Sequence, residues 1–204
     1  FKPTGLTHIS ILEKVSNGET LSDKELKSFE LFKERVENLC SVAAQTNTPI
    51  LIDAEDTWYQ KALDDLIQQM MMKFNATSAI VYNTLQMYRV DRLDFLKQTH
   101  QHAIEHGYKL GVKFVRGAYM EKERERAKKM GYPSPIYPTK ADTDLAFNQA
   151  QEYAFNNLDT ISIFCGTHNE ESVRLLAELM VKNSINPNDS RITFSQLLGM
   201  SDNI

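Results

Sequence analysis

Short apolar runs alternate with segments of helical periodicity along the chain, and each run follows the previous one after about 30 residues. The apolar runs predict strands at 49–53, 79–82, 109–115, 161–164 and 191–194, with Phe1-Lys2 as the end of an earlier strand. Helical spacing of apolar residues marks 23–45, 58–74, 91–105, a segment starting at residue 120, 142–156 and 170–182. Such repetition predicts parallel strands joined by crossover helices, either in a doubly wound sheet or in a (β/α)8 barrel.

Polar residues at the ends of these strands distinguish between the two folds. They are Lys2, Asp53, Glu55, Asn83, Gln86, Lys113, Arg116, Thr167, His168, Asn169 and Gln196. In a barrel the carboxyl ends of all strands surround one mouth, so these side chains can meet at one ligand. A doubly wound sheet binds its ligand at one switch point, and the G-x-G-x-x-G loop of its dinucleotide-binding members is absent here. We therefore predict an α/β protein with a TIM-type (β/α)8 barrel, incomplete in this chain, with about six of the eight strands present.

Charge and composition exclude several classes of partner and site. The formal net charge of −4 gives no reason to expect binding to nucleic acid or to an anionic membrane surface. Cys40 and Cys165 lie in apolar patterns, which predicts buried thiols in a reducing compartment. His100, His102 and His106 share one predicted helix without the acidic residue of a zinc motif, so we expect exposed side chains and no metal.

The segment 111–120 places two cations on an apolar strand pattern. Lys113 and Arg116 precede a Gly-Ala pair and the mixed charges of 121–129, which predict a solvated helix face. An α/β enzyme binds an anionic cofactor or substrate at such a strand end, although a buried strand with two solvated cations fits equally well. Asp53 has the same ambiguity, because an acid after a strand can also cap the following helix.

Five blocks of the sequence, taken together, resemble the successive signature blocks of the proline dehydrogenase family. They are Ile52-Asp-Ala-Glu55, the segment 82–88, the segment 113–120, Thr167-His-Asn169 and the segment 194–200. The opening residues 1–5 resemble the end of the family's second barrel strand. Met120 is similar to the monofunctional and mitochondrial type, whereas the large bifunctional bacterial members have a tryptophan there. The resemblance implies an FAD-dependent (β/α)8 enzyme that oxidises L-proline to Δ1-pyrroline-5-carboxylate, the first step of proline catabolism.

The resemblance also implies a set of cofactor-binding residues. By the family's motifs, Lys113 contacts flavin N5, and Val115, Arg116 and Gly117 lie along the isoalloxazine and the pyrophosphate. The other residues that the resemblance assigns to FAD are Ala54 through its backbone, Asn83 at the pyrimidine edge, Thr167 and His168 as hydrogen-bonding groups, with Asn169 assisting, and Thr139 and Lys140 at the adenosine end.

The same motifs assign the substrate site. Asp53 matches the active-site carboxylate, and Lys2 matches a lysine near the substrate that pairs with Asp53 and with the carboxylate of L-proline. Asp53 and Lys113 are thus the expected catalytic residues. A quinone or another acceptor would then take the electrons. The family resemblance places such a protein in the bacterial cytoplasm, with peripheral membrane association of the full-length protein, or in the mitochondrion of a eukaryote.

The family's first strand, and its last strand and helix with an arginine pair for the substrate carboxylate, have no counterpart in the sequence. We therefore expect residues 1–204 to be an interior portion of one catalytic barrel domain, with weak or no FAD binding when taken alone. Two alternatives stay open beside the enzyme: an inactive barrel fragment without flavin, and an aldolase that uses Lys113 to form a Schiff base.

Overall fold

The computed structural model describes residues 1–200 and contains five strands and seven α-helices. The strands are β1 (Ile50–Ile52), β2 (Val81–Gln86), β3 (Leu110–Val115), β4 (Ile161–Gly166) and β5 (Ile192–Ser195). The helices are α1 (Ile9–Ser16), α2 (Asp23–Gln45), α3 (Thr57–Phe74), α4 (Arg92–His106), α5 (Met120–Met130), α6 (Lys140–Phe155) and α7 (Glu170–Lys182). A short 3-10 helix, Pro3–Gly5, precedes them.

All five strands are parallel, and their order in the sheet is β1-β2-β3-β4-β5. Each strand therefore pairs with its neighbour in the sequence, whereas a doubly wound sheet reverses its order at the switch point. The sheet curls into a half-barrel. The predicted α/β class with an incomplete TIM-type barrel is confirmed.

The sixth predicted strand, at Phe1-Lys2, is reduced to the pairing of a single residue. The amino group of Phe1 donates to Leu51 O at 2.8 Å, and Asp53 N donates to Phe1 O at 2.9 Å. These are the two bonds of a parallel ladder beside β1, but Pro3 then starts the 3-10 helix. The sequence reasoning also missed α1, which packs against α3.

Successive side chains along each strand point alternately to the outer face of the sheet, under the helices, and to its inner face. On β3, Phe114 is fully buried and packs edge-on against Phe147 of α6, with ring centroids 6.3 Å apart. Lys113 and Val115 point to the other face, inside the half-barrel. The core therefore lies between the sheet and its helices, and polar side chains are left for the inner face.

The burial of His100 contradicts its predicted exposure, whereas the burial of the two cysteines confirms their prediction. His100 is buried rather than exposed, because α4 packs against α6 and its ring bonds to Tyr153 Oη at 2.8 Å and Thr160 Oγ1 at 2.6 Å. Cys40 and Cys165 are buried as predicted, and burial raises the pKa of each thiol to about 12.

Most of the charged run 121–129 is the solvated face that its composition predicts, because Glu121, Lys122, Glu125, Lys128 and Lys129 are exposed, but Glu123 is an exception. Glu123 is completely buried and accepts hydrogen bonds from Thr57 N at 2.7 Å and Thr57 Oγ1 at 2.6 Å. Lys122 donates to Asp56 Oδ2 at 2.7 Å. Helix α5 is thus attached to the start of α3, which follows β1 and Asp53 in the chain. No helix within residues 1–200 has the length and apolar character needed to cross a bilayer.

Candidate functional site

A cavity of about 550 Å³ opens at the carboxyl ends of the strands, and we call it the mouth cavity. It brings together most of the residues that the sequence singled out: Lys2, Asp53, Ala54, Lys113, Val115, Arg116, Gly117, Lys140, Thr167, His168 and Asn169. A second cavity of about 740 Å³, the side cavity, adjoins it and shares residues 116–119 and Lys140. Thr139 lies only in the side cavity.

The structure moves one predicted site residue, Asn83, out of the cavity. Its side chain points to the helix side of the sheet, where Nδ2 donates to Asp64 Oδ1 at 3.0 Å. The neighbouring inner positions of β2 are Thr84 and Gln86, which line the mouth cavity instead. The prediction was wrong about the face of the strand, because Thr84 and Gln86 lie one and three positions after Asn83 and an odd shift reverses the face.

Gln86 and Gln196 line the mouth cavity, and the sequence analysis placed both at strand ends without assigning either to the site. The register pairs Thr84 with Lys113 and Gln86 with Val115. Because neighbours in register point to the same side of a parallel sheet, the assignment of Lys113 and Val115 to the inner face would have identified Gln86. The signal was the two-residue alternation, applied across the pair of strands.

Asp53 and Lys113 form an ion pair in the cavity, with Lys113 Nζ 2.7 Å from Asp53 Oδ1. Asp53 is not the cap of α3, because the N-cap position belongs to Asp56. The expected pairing of Asp53 with Lys2 is also wrong. Lys2 Nζ donates to the hydroxyl of Tyr119 at 2.6 Å, and this hydrogen bond raises the pKa of Lys2.

Arg116 is held by a set of bonds to α6, α7 and the end of β4. Its Nε donates to Asp144 Oδ1 at 2.6 Å, its Nη1 to Thr167 Oγ1 at 2.6 Å and its Nη2 to Ser172 Oγ at 2.9 Å. The guanidinium also lies 4.4 Å from the centroid of the Phe147 ring. This arrangement fixes the position of one positive charge at the boundary between the two cavities.

Asp144 connects Arg116 with Lys140, whose Nζ lies 2.5 Å from Asp144 Oδ2. Burial opposes ionisation of Asp144, but hydrogen bonds from Lys140 and Arg116 outweigh it and lower the pKa of this carboxyl. Two cations and one carboxylate leave one net positive charge. The cluster is therefore suited to an anionic group of a ligand.

Three of the hydrogen-bonding groups named from the sequence have bonds within the protein. Thr139 caps α6 in a capping box with Asp142, and Asn169 caps α7 by accepting from Ser172 N at 3.0 Å. Thr167 Oγ1 accepts from Arg116 and from Asn169 N. Their contacts shape the cavity walls through the ends of two helices.

His168 differs from these groups, because one of its ring nitrogens has no bond. Its Nε2 accepts weakly from Leu197 N at 3.4 Å, whereas Nδ1 is buried without a hydrogen-bond partner within residues 1–200. A buried polar atom without a partner carries a free-energy cost that a ligand can remove. His168 therefore remains available to a bound molecule.

The ring of Tyr88 leaves no room for a side chain at position 117, which is a glycine. Its φ of +126° lies in a region that side chains disfavour, and a Cβ there would approach the Tyr88 ring to 2.6 Å. A residue without a side chain is therefore needed at position 117 to make room for Tyr88.

A model of a known protein family, described as proline dehydrogenase, matches residues 5–204. The chain belongs to the proline dehydrogenase family. This membership confirms the resemblance of the five sequence blocks.

Named relatives agree with this assignment. The chain is 34% identical to mitochondrial proline dehydrogenase 1 of Dictyostelium discoideum over 203 residues, which cover 97% of the chain and 36% of that protein. It is also 34% identical to the human mitochondrial proline dehydrogenase 1, over 84% of the chain and 29% of that protein. The chain thus spans about a third of the length of these relatives.

Solved structures with the same fold come from proline utilization A proteins. The structure of the Bdellovibrio bacteriovorus protein, inactivated by N-propargylglycine, superposes with a TM-score of 0.84 at 20% identity and covers 98% of this chain and 20% of that one. The Corynebacterium freiburgense protein gives a TM-score of 0.80 at 23% identity, over 98% of this chain and 20% of that one. At these identities the likeness shows the shared fold.

Proposed function

We propose that residues 1–204 belong to one barrel domain that oxidises L-proline to Δ1-pyrroline-5-carboxylate with FAD as the oxidant. The observation that carries the proposal is the mouth cavity, where residues from the family's signature blocks converge around the Asp53–Lys113 ion pair. Relatives named as proline dehydrogenases support the same reaction.

The residues of the two cavities fit FAD. Its pyrophosphate is anionic, and the Arg116–Asp144–Lys140 cluster supplies one net positive charge at the boundary of the cavities. The unpartnered Nδ1 of His168 offers a hydrogen bond to the cofactor. Volumes of about 550 and 740 Å³ lie within the range of ligand sites.

We assign the parts of the cofactor to residues by their place in the cavities. Arg116 and Lys140 would hold the pyrophosphate, and Thr139 would lie at the adenosine end. The ring system would contact the protein at Ala54, Lys113, Val115, Thr167, His168 and Gln86, with Lys113 at its reactive edge. When bound, FAD supplies the acceptor for the hydride that leaves the carbon next to the proline nitrogen.

The chain's own residues bind the substrate and stabilise charge. Lys2 would bind the carboxylate of L-proline, and the Tyr119 hydroxyl keeps its ammonium group at the cavity wall. Oxidation makes the C=N bond of the product and develops positive charge at the ring nitrogen. Asp53 is the carboxylate of the mouth cavity, so we assign it to stabilise that charge and to orient Lys113.

The visible spectrum of the purified natural protein tests the proposal. We expect flavin absorption bands that bleach when L-proline is added without oxygen. A colourless protein that gains no flavin signal on titration with FAD would support the inactive fragment instead.

The aldolase alternative is disfavoured by the bonding of Lys113. A lysine that forms a Schiff base must present its amine to the carbonyl carbon of the substrate, whereas Lys113 Nζ is bonded to Asp53 Oδ1 at 2.7 Å. Borohydride treatment with small aldehydes or ketones should leave the mass of the peptide that contains Lys113 unchanged.

We also propose an electron acceptor and a cellular location. We propose a quinone as acceptor, to be tested by reduction of a soluble quinone in the presence of L-proline. Because several relatives are named mitochondrial, we propose the mitochondrion as the location in a eukaryote. In a bacterium we propose the cytoplasm, with the full-length protein at the membrane periphery.

A further inference from the structure

A chain of hydrogen bonds runs through the interior from α4 to the mouth cavity. Arg92 Nη1 donates to Asp64 Oδ2 at 2.8 Å, and Gln60 Nε2 donates to Asp64 Oδ1 at 3.0 Å. Glu55 N then donates to Gln60 Oε1 at 3.0 Å. Gln86 Nε2 donates to Glu55 O at 2.7 Å, and Gln86 lines the cavity.

Every member of this chain is buried. The exposed fractions are 6% for Arg92, 5% for Asp64, 1% for Gln60, 5% for Glu55 and 3% for Gln86. Buried hydrogen bonds in a low-dielectric interior hold their groups firmly, because no water can replace a lost partner. A displacement at one end is therefore transmitted to the other.

The carboxylate of Asp64 and the backbone N–H of Glu55 together fix the orientation of the Gln60 amide between them. An ionised carboxylate only accepts hydrogen bonds, so Gln60 must turn its NH2 group to Asp64 and its Oε1 to Glu55 N. The backbone of Glu55 is fixed in this way, and its carbonyl takes the NH2 group of Gln86. Because a carbonyl oxygen only accepts, Gln86 must direct its NH2 group to Glu55 O, and the position of the Gln86 amide depends on where the Glu55 backbone is held.

We propose that Asp64 is a positioning residue for ligand binding in the mouth cavity and acts through Gln60 and Glu55 on the amide of Gln86. Asp64 lies on α3, on the helix side of the sheet, and has no place in the cavity lining. The inference rests on the proposed function, because FAD is the ligand that probes it.

The test measures FAD binding by the flavin-free natural protein, through quenching of flavin fluorescence on titration. An asparagine has one oxygen, so Asp64→Asn places an NH2 group against the donor of Arg92 or against the donors of Gln60 and Asn83, and the anchor of Gln60 weakens. We expect a rise of about tenfold in the Kd for FAD, as for one lost hydrogen bond to a ligand.

The matched control is Asp91→Asn. Asp91 is the other carboxylate partner of Arg92, with its Oδ2 2.6 Å from Arg92 Nη2, and its replacement leaves the hydrogen bonds from Asp64 to Gln86 intact. Its Kd should stay within about twofold of the wild-type value.

A double-mutant cycle separates positioning from general loosening of the fold. In a Gln86→Ala background, Asp64→Asn should leave the Kd unchanged, because the group through which it acts is gone. If the two effects multiply instead, or if Asp64→Asn binds FAD like the wild type, the inference is wrong. Should Asp64→Asn fail to fold, Gln60→Met cuts the same chain while Asp64 keeps Arg92, and the same results are expected. A wild-type protein that binds no FAD overturns the proposed function and this inference with it.

Discussion

The Asp53–Lys113 ion pair allows the chemistry of the cavity to be separated from the stability of the fold. In the substitution Asp53→Asn, the shape of the side chain stays and its charge is lost. The side chains of Asp53 and Lys113 are 31% and 21% exposed, so the pair contributes at most about 1 kcal/mol to stability. For a domain of this size we expect a decrease in Tm of about 2–4 °C.

The expected effect of Asp53→Asn on catalysis is much larger. Loss of a positioned charged group should lower the rate of proline oxidation about 100-fold, which corresponds to about 2.7 kcal/mol of transition-state stabilisation. Flavin content should stay near that of the wild type, because Arg116 and Lys140 are untouched. The assay is proline-dependent dye reduction at saturating FAD, with the flavin-to-protein ratio from absorbance and Tm measured on the same samples.

Asp65→Asn is the matched control for Asp53→Asn. Asp65 forms an exposed ion pair on α3, with its Oδ2 2.5 Å from Lys61 Nζ. Asp65→Asn removes the same charge as Asp53→Asn but far from the reaction, and should leave the rate unchanged. If Asp53→Asn keeps more than about a third of the wild-type rate with full flavin content, Asp53 has no part in the reaction. If the rate, flavin content and Tm all fall together, Asp53 is a structural residue.

Three further predictions concern stability. Gly117→Ala should lower the free energy of unfolding by about 1–3 kcal/mol in denaturant titrations, because the added Cβ is strained at φ +126° and meets the Tyr88 ring. Glu123→Ala should lower it by a similar amount, about 1–3 kcal/mol, since the partly buried amide and hydroxyl of Thr57 lose their acceptor. Burial opposes ionisation of Asp91, but its two arginine partners lower its pKa from 3.8 to about 2, so the folded form binds its proton less readily than the unfolded form. The stabilisation is therefore complete above pH 3.8 and is lost as the pH falls towards about 2, and Asp91→Asn should flatten the unfolding free energy over that interval.

The repeating pattern of the sequence predicted the sheet, because buried parallel strands are continuous apolar runs that need no knowledge of their partners. The exception is Phe1-Lys2, where pairing ends at Pro3 after one residue. Assignment of the site failed at Asn83, since the order of blocks does not tell which face a strand residue occupies. The register to β3 decides that question in favour of Gln86.

Composition also misjudged the polar residues that have distant partners. The run 121–129 has the mixed charges of a solvated face, yet Glu123 bonds to Thr57, which lies 66 residues earlier in the chain. His100 bonds to Tyr153 and Thr160, which lie 53 and 60 positions later in the chain. Contacts of this range depend on how helices pack around the sheet, and no local pattern encodes them.

The distribution of charge in the cavities distinguishes among ligands more sharply than any single residue. The chain as a whole carries a net charge of −4, yet four cations and one carboxylate line the mouth cavity: Lys2, Lys113, Arg116, Lys140 and Asp53. Asp53 neutralises Lys113, and Asp144 offsets half of the charge of Arg116 and Lys140. Two separate positions therefore keep net positive charge, the Arg116–Asp144–Lys140 cluster and Lys2. A ligand set with two anionic groups, the pyrophosphate of a dinucleotide and the carboxylate of an amino acid, matches these two positions, whereas a small aldehyde or ketone would leave both charges without a partner.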